Sequence, residues 1–351
     1  MAELSNLAPP VERACWHPVA RSDALAAAAP VAASLMGEDL ALWRDASGAV
    51  HAFADHCPHR GARLSMGRVV DDVLECPYHG WRFAGDARCV AIPALPAFTP
   101  PEGHRACAYL ASEWAGLVWV RLDVAGAIVP PSQASATIAA AETDAQLRKL
   151  VVGPYDVAAS APRIVENFLD LSHFGLVHEG WLGDRQHLAM NAYRVETRAD
   201  GTLCALDCRA WQPQSNRLSS EGSEVAYGYE VPTAPLVPFN AVLTKAPEAM
   251  AEHAPGGYRD VIALFVCPLT QETSRVWFRM ALTDFESNED EIAAFQHTIF
   301  TQDQPVLESQ RPKLLPITDA APVRELHSAA DRMSSAYRRL LRERGITFGV
   351  C

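Results

Sequence analysis

Cys57-Pro58-His59, sixteen intervening residues, then Cys76-Pro77-Tyr78-His79-Gly80-Trp81 is the stretch on which the reading of this chain turns. Each loop offers one thiolate and one imidazole. Zinc fingers usually pair Cys with Cys and His with His, so the mixed pairing suits zinc less well than a two-iron cluster with both Cys on one iron and both His on the other. At this point zinc stays open. A lone Cys-x-His or Cys-x-x-His arises by chance in roughly one such protein in three, but two of them in one small segment, each with Pro beside the Cys, carry more weight. The prolines stiffen the loops and leave neighbouring amides free to hydrogen-bond the sulfurs.

Around these loops, from Cys15 to Leu122, short apolar runs alternate with turn residues: Leu40 to Trp43, Val50 to Phe53, Val69 to Leu74 and Gly116 to Leu122. They predict small antiparallel strands. From Asp123 to Lys149 the composition shifts to Ala, Ser, Thr and Pro, with Pro130 and Pro131 adjacent, so residues 126–150 are expected to connect a first domain, 1–125, to a second, 151–351. Asp200-Gly201 splits Asn191 to Trp211 into a hairpin, and Val261 to Val266 and Val276 to Leu282 predict buried strands of a large antiparallel sheet. Three stretches predict helices: Ala161 to Phe174 with Ser160 as N-cap and Gly175 as stop, Glu289 to about Gln302 starting near Asn288, and Asp331 to Arg344 with a basic outer face. The second domain is therefore expected to be α+β.

The 351 residues suffice for two cores, and 49% hydrophobic with 21% charged residues is the balance of a globular protein. With 30 Lys and Arg against 42 Asp and Glu, the net charge of -12 disfavours nucleic acid and anionic lipid as partners. Residues 1–10 lack the basic and apolar stretches of a secretory signal, and the alanine-rich run Ala24 to Leu35 is broken by Pro30 and too short to span a membrane. A cytoplasmic location follows as the expectation. Nine cysteines, an odd number in a long chain, argue for thiols or metal ligands over a disulfide framework, and Cys89 and Cys107 are read as buried thiols.

A second constellation begins in the first of these helices. Asn167, Asp170 and His173 recur every three residues beside the apolar stripe Ile164, Phe168 and Leu171, and His178 follows Gly175, where a helix can end and turn a side chain back toward His173. Two neutral imidazoles and a carboxylate bind a divalent metal. In the next helix Ile292, Phe295, Ile299 and Asp303 recur at spacings of three, four and four, which places Asp303 on a core-facing stripe, where a metal would be one sufficient partner. An Asp reaching solvent near a kink at Pro305 is the alternative.

Taken together, the Cys-x-His and Cys-x-x-His loops, Asn-x-x-Asp-x-x-His-x-x-x-x-His and a late Asp303-Gln304-Pro305-Val306-Leu307-Glu308 resemble, over essentially the whole chain, the oxygenase component of Rieske non-haem iron oxygenases. Val177 to Arg185 and the Ala336 to Cys351 terminus look most like the saxitoxin-tailoring hydroxylases, and Asp303 to Gln310 also resembles O- and N-demethylases. The resemblance implies an N-terminal all-β Rieske domain and a helix-grip catalytic domain. It implies a 2Fe-2S cluster on Cys57, His59, Cys76 and His79, mononuclear Fe(II) on His173, His178 and Asp303, and catalytic roles for Asn167 and Asp170, the latter linking the two centres. It also implies a homotrimer in which one subunit's cluster faces the next subunit's iron.

No nucleotide-binding fingerprint occurs in the sequence, so electrons are expected from an NAD(P)H-dependent reductase, directly or through a ferredoxin. Between Cys57 and Arg105 six Arg meet five acids, so this segment is near neutral in an acidic chain and a local basic docking patch is one expectation. The expected activity is monooxygenation, hydroxylating or demethylating a small alkaloid-like or aromatic substrate with O2. The alternatives are an arene cis-dihydroxylating dioxygenase and a non-catalytic Rieske electron carrier with a ligand-binding domain. Tyr227, Asn240, Cys267 and Phe278 on the predicted sheet are candidate pocket residues.

Overall fold

The structure, a computed structural model, describes residues 10–25, 29–124, 126–214, 222–232, 235–248 and 259–351. Residues 1–9, read above for a secretory signal, and residues 26–28 of the alanine run lie outside that set. Two compact units divide the chain. The first is Arg13–Pro131; the second is Ser132–Cys351 together with the segment ending at Glu12, whose buried carboxylate accepts from the backbone N–H of Thr347 and Phe348. Among the described residues no helix is long and apolar enough to cross a membrane.

The first unit holds two antiparallel sheets of six and four strands. Glu38–Arg44 and Val50–Ala54 lie where the apolar runs predict them, pairing Leu42 with Ala52 and burying Trp43 and Phe53. One apolar run is corrected: Val69 to Leu74 is a tight hairpin of Arg68–Val70 and Val73–Glu75, in which Val70 faces Val73 across Asp71 and Asp72. Both aspartates have positive φ, 48° and 69°, the conformation a two-residue hairpin turn needs and one that Asp tolerates. The apolar alternation hides such a turn. Cys89 is buried as expected, whereas Cys107 is exposed.

The second unit is built on one seven-stranded antiparallel sheet, in the order Arg148–Val157, Ser274–Leu282, Asp260–Pro268, Asn240–Pro247, Ser223–Val231, Leu203–Gln212, Arg194–Thr197. Residues 126–150 are more than a connector: they contain α1 (Ala136–Thr143), capped by Ser135, and the start of the first strand at Arg148. Ala161–Phe168 is α2, Phe174–Val177 is α3, Glu289–Ser309 is α4 and Arg332–Glu343 is α5. Helix α2 packs on the strands Asp260–Pro268 and Asn240–Pro247, and α4 packs on Arg148–Val157 and on α2. The side chains at 227 and 229, 243 and 245, and 262 and 264, two apart on their strands, line one cavity under these helices.

Three helix expectations change. The first predicted helix breaks after Phe168, because the Asp170 carboxylate accepts from the Ser172 backbone N–H and offers the chain a local turn in place of the next helical bond. Gly175 sits inside α3 rather than ending a helix, and Ser160 makes no side-chain cap bond. Helix α4 starts with a full capping box, Asn288 with Glu291, but runs through Pro305 to Ser309. On α5 Arg338 points inward rather than outward, bound bidentately by Glu166 (2.6 and 2.7 Å) and also by Glu325.

Candidate functional site

Two matched loops present the four candidate cluster ligands. In the first, Cys57 N donates to Ala62 O (2.8 Å) and Gly61 N to Cys57 O (2.9 Å); in the second, Cys76 N donates to Trp81 O (2.8 Å) and Gly80 N to Cys76 O (3.1 Å). Each loop closes on a glycine of positive φ, Gly61 at 72° and Gly80 at 69°, a backbone state that costs a side-chain-bearing residue. Both sulfurs are buried and both cysteines lie in the core of the unit. Burial pushes the Cys57 thiol up to about 11, the neighbouring Cys76 thiol acts in the same direction, and the N–H groups of His59 and Arg60 aimed at the sulfur work against it.

The imidazoles of His59 and His79 meet with ring centroids 4.6 Å apart, and His59 stacks on Trp81 at 4.5 Å. His79 is exposed. The buried Nδ1 of His59 has no hydrogen-bond partner among the described residues, which fits a nitrogen kept for a metal. Thiolate and imidazole alternate along the two loops, Cys57 with His59 and Cys76 with His79, an order that suits a cluster with both Cys on one iron and both His on the other. The donor set therefore fits two irons better than one zinc. Of the six arginines in this segment, Arg63, Arg68, Arg82 and Arg88 are in ion pairs, so their charge is largely met within the unit.

In the second unit, α2, the turn after it, α3 and α4 converge. His173 Nε2 and His178 Nε2 are 3.2 Å apart, and Asp303 Oδ1 lies 3.4 Å from the first and 3.3 Å from the second. Three donor atoms at such distances fit a divalent ion. The other nitrogen of each ring is engaged: His173 Nδ1 faces Asp170 Oδ2 at 3.1 Å, and His178 Nδ1 faces Gln302 Oε1 at 2.8 Å. Those contacts place the proton on Nδ1 and leave Nε2 for metal. Burial acts to raise Asp170, but its bonds to His173 and Ser172 outweigh that and hold it below the usual carboxylate value. Asn167 Nδ2 donates to Asp303 Oδ1 at 3.3 Å, which makes it a neighbour of the third donor. Glu308 is occupied elsewhere, accepting from Ala158 N and Gln304 Nε2.

The triad opens on a cavity of about 760 Å³ of atom-free space, its mouth included. Its walls are mostly apolar, with Phe168, Phe174, Phe278 and Phe300 around the donors. Tyr227 and Phe278 line it, as the sequence suggested. Asn240 and Cys267 do not: both are buried elsewhere in the sheet, Asn240 Nδ2 donating to Val237 O.

A family model described as the Rieske [2Fe-2S] domain matches residues 15–108, and one described as the vanillate O-demethylase oxygenase C-terminal domain matches residues 157–345. This chain belongs to the Rieske non-haem iron oxygenases. The methylxanthine N1-demethylase NdmA of Pseudomonas putida is 30% identical over 335 residues, covering 93% of this chain and 88% of the relative. The probable methylxanthine N7-demethylase NdmC of Pseudomonas sp. (strain TJI-51) is 37% identical over 236 residues, covering 67% and 77%. The structure of Pseudomonas putida CBB5 NdmA with caffeine superposes with a TM-score of 0.75 at 27% identity, over 94% of this chain and 90% of that one. As a member of this family, the Rieske oxygenase described here is an oxidoreductase that uses O2 and carries a 2Fe-2S cluster and a mononuclear iron.

Sequence reasoning missed Gln302, Gln212 and Tyr229. Gln302 had one available signal, its position beside Asp303. Gln212 and Tyr229 had none, because only the folded sheet carries them to the cavity.

Proposed function

We propose that this Rieske oxygenase is the terminal component of a multicomponent monooxygenase that removes a methyl group from nitrogen or oxygen of a small planar ring compound. The observation that carries this reading is the aromatic-walled cavity opening directly on His173, His178 and Asp303. A flat ring held between Phe168, Phe278 and Phe300 would hold one methyl group at the triad while the rest of the molecule stays in apolar surroundings. The similarity to methylxanthine N-demethylases points to the same substrate class.

In this reading His173, His178 and Asp303 hold Fe(II), and Cys57 and Cys76 with His59 and His79 hold the cluster. The irons supply electron storage and dioxygen activation. The chain's own residues orient and exclude: Asp170 and Gln302 fix the two imidazoles, Asn167 holds the Asp303 oxygen in place, and the phenylalanines keep water from the reacting carbon. The balance is substrate–CH3 plus O2, two electrons and two protons giving substrate–CH2OH and water. On N or O that product loses formaldehyde and leaves N–H or O–H. On carbon it stops at the alcohol.

The electrons come from a separate NAD(P)H-dependent reductase, directly or through a ferredoxin, and the assembly is a homotrimer in the cytoplasm in which Asp170 meets His59 or His79 of the adjoining subunit. The exposure left on Asp170 (25% of its side chain) and the exposed His79 support that role. The test is holoenzyme with reductase, NADH and a panel of N-methyl heterocycles and methoxybenzoates. Formaldehyde in step with NADH consumption, with three irons per chain, is the expected result. A cis-diol product, or two irons per chain and no oxygen uptake, overturns it.

A further inference from the structure

On the sheet, two residues that line the cavity each carry a buried polar atom with no hydrogen-bond partner among the described residues. Gln212 is fully buried and Tyr229 is 1% exposed, and both line the cavity. Gln212 spends its Nε2 on the hydroxyl of Tyr227, while its Oε1 has no partner among the described residues. The Tyr229 hydroxyl is likewise without a partner among them. A buried polar atom left unmade costs more than the average hydrogen bond gains, so two such atoms on residues that line a cavity point to a ligand that completes them.

The geometry of the sheet explains how they come together. Tyr227 and Tyr229 are two apart on one strand and share its cavity face, with rings 6.3 Å apart at an interplanar angle of 22°. Gln212, from the neighbouring strand, reaches the first of them diagonally. Burial pushes both phenols above their usual value, so they stay neutral donors. Lys245 lies opposite Tyr227 on the next strand and opposite Asp260 on the one after, which sets a carboxylate of the protein beside its charge. The wall therefore favours a neutral ligand over an anion.

We propose that Gln212 and Tyr229 are specificity-determining residues that select a neutral heterocycle bearing both an N–H and a carbonyl or ring nitrogen. Gln212 Oε1 accepts from the N–H, and the Tyr229 hydroxyl donates to the acceptor. This inference rests on the demethylase reading of the cavity and narrows it: an N–H must survive on the ring that presents the methyl group, so fully N-methylated rings are the poorer substrates.

The experiment uses holoenzyme and two pairs that differ by one N–H: theobromine with caffeine, and 1-methyluracil with 1,3-dimethyluracil. Binding is followed calorimetrically and turnover by formaldehyde release. Wild type is expected to bind the N–H member at least ~10-fold more tightly. Gln212→Met, close in shape but without the acceptor, should erase that preference with cluster absorbance and iron content unchanged. Tyr229→Phe should raise KM for both members of a pair ~10-fold with little change in kcat and keep the N–H preference, since it removes binding shared by ground and transition states. If Gln212→Met fails to fold, the Tyr229→Phe split still decides. Equal binding of both members by wild type, a preference that survives in Gln212→Met, or unchanged KM in Tyr229→Phe overturns the proposal while formaldehyde release leaves the demethylase reading standing. Failure of wild type to bind any of the four overturns the proposal and leaves the demethylase reading to the methoxybenzoates.

Discussion

Gln302 Oε1 lies 2.8 Å from His178 Nδ1, while Asp303, its neighbour on α4, puts Oδ1 3.3 Å from Nε2 of the same ring. Two consecutive residues thus hold opposite edges of one imidazole. A carbonyl oxygen at Nδ1 calls for a proton there, so Nε2 of the neutral ring is left for metal. Gln302→Leu should lower mononuclear iron occupancy and turnover by about 10–100-fold while the cluster spectrum stays intact. Iron analysis beside the visible spectrum checks this, and full occupancy in the variant would show that Gln302 does not orient the ligand.

Asp170 plays the corresponding part for His173, at 3.1 Å from Nδ1, and spends its other oxygen on Ser172. Asp170→Asn keeps the size and the turn but loses the charge. We expect both metals retained and the cluster still reducible, with electron passage to the mononuclear site at least ~10-fold slower. Cluster reoxidation in a single turnover with substrate and O2 is the measurement; wild-type rates would remove Asp170 from the path. Arg163, one residue before the buried Ile164 of α2, is bound to Glu325 at 2.7 Å and not to Asp170.

The proposed cluster ligands and the proposed iron ligands belong to different units, so the two sites should be separable. Asp303→Ala should abolish turnover and mononuclear iron and leave the brown colour and the electron paramagnetic resonance of the reduced cluster. Cys57→Ser should do the reverse to the spectrum, because a hydroxyl replaces thiolate poorly at iron. Purified wild type containing zinc and no iron would contradict both.

Gly175 in α3 faces backbone: an added Cβ would stand 2.5 Å from Asp184 O and 2.6 Å from a Leu188 methyl. The carbonyl cannot yield as a side chain would. Gly175→Ala should therefore shift the segment between His173 and His178 and reduce mononuclear iron binding by about tenfold or more, with the first unit unaffected. Occupancy equal to wild type would mean that the 184–188 loop moves instead.

Arg338 is held by Glu166 and Glu325 with 9% of its side chain exposed. Arg338→Met leaves Glu166 without this cation and Glu325 with Arg163 alone, and should cost about 3 kcal/mol in urea unfolding. Burial acts to raise Glu325, but the bonds from Arg163 and Arg338 prevail and hold it below its ordinary value. A carboxyl depressed in the folded state contributes stability above its unfolded pKa, and that contribution is lost as pH falls through the folded one. Wild type should thus lose stability below about pH 4.3, the ordinary Glu value, and the variant should lose less over the same range. Parallel acid curves would exclude the network as the cause.

What the sequence determined by itself is what lies close along the chain. Cys57 with His59, Cys76 with His79, and His173 with His178 are legible because each pair sits in one loop or turn, where spacing alone limits the geometry. Asp303 was legible too, since the helical period put it on the stripe of Ile292 and Ile299, both buried. The same period misjudged the break after Phe168, where a side-chain hydrogen bond from Asp170 outcompetes the helix, and the continuation of α4 through Pro305. A single proline removes one helical donor, and packing on the sheet and α2 holds the rest. Only the tertiary structure decided the partners across the fold. His178 meets Gln302 from another helix, and Gln212 and Tyr229 meet the cavity from two strands, because side-chain direction on a sheet is set by register, and register is set by the whole sheet.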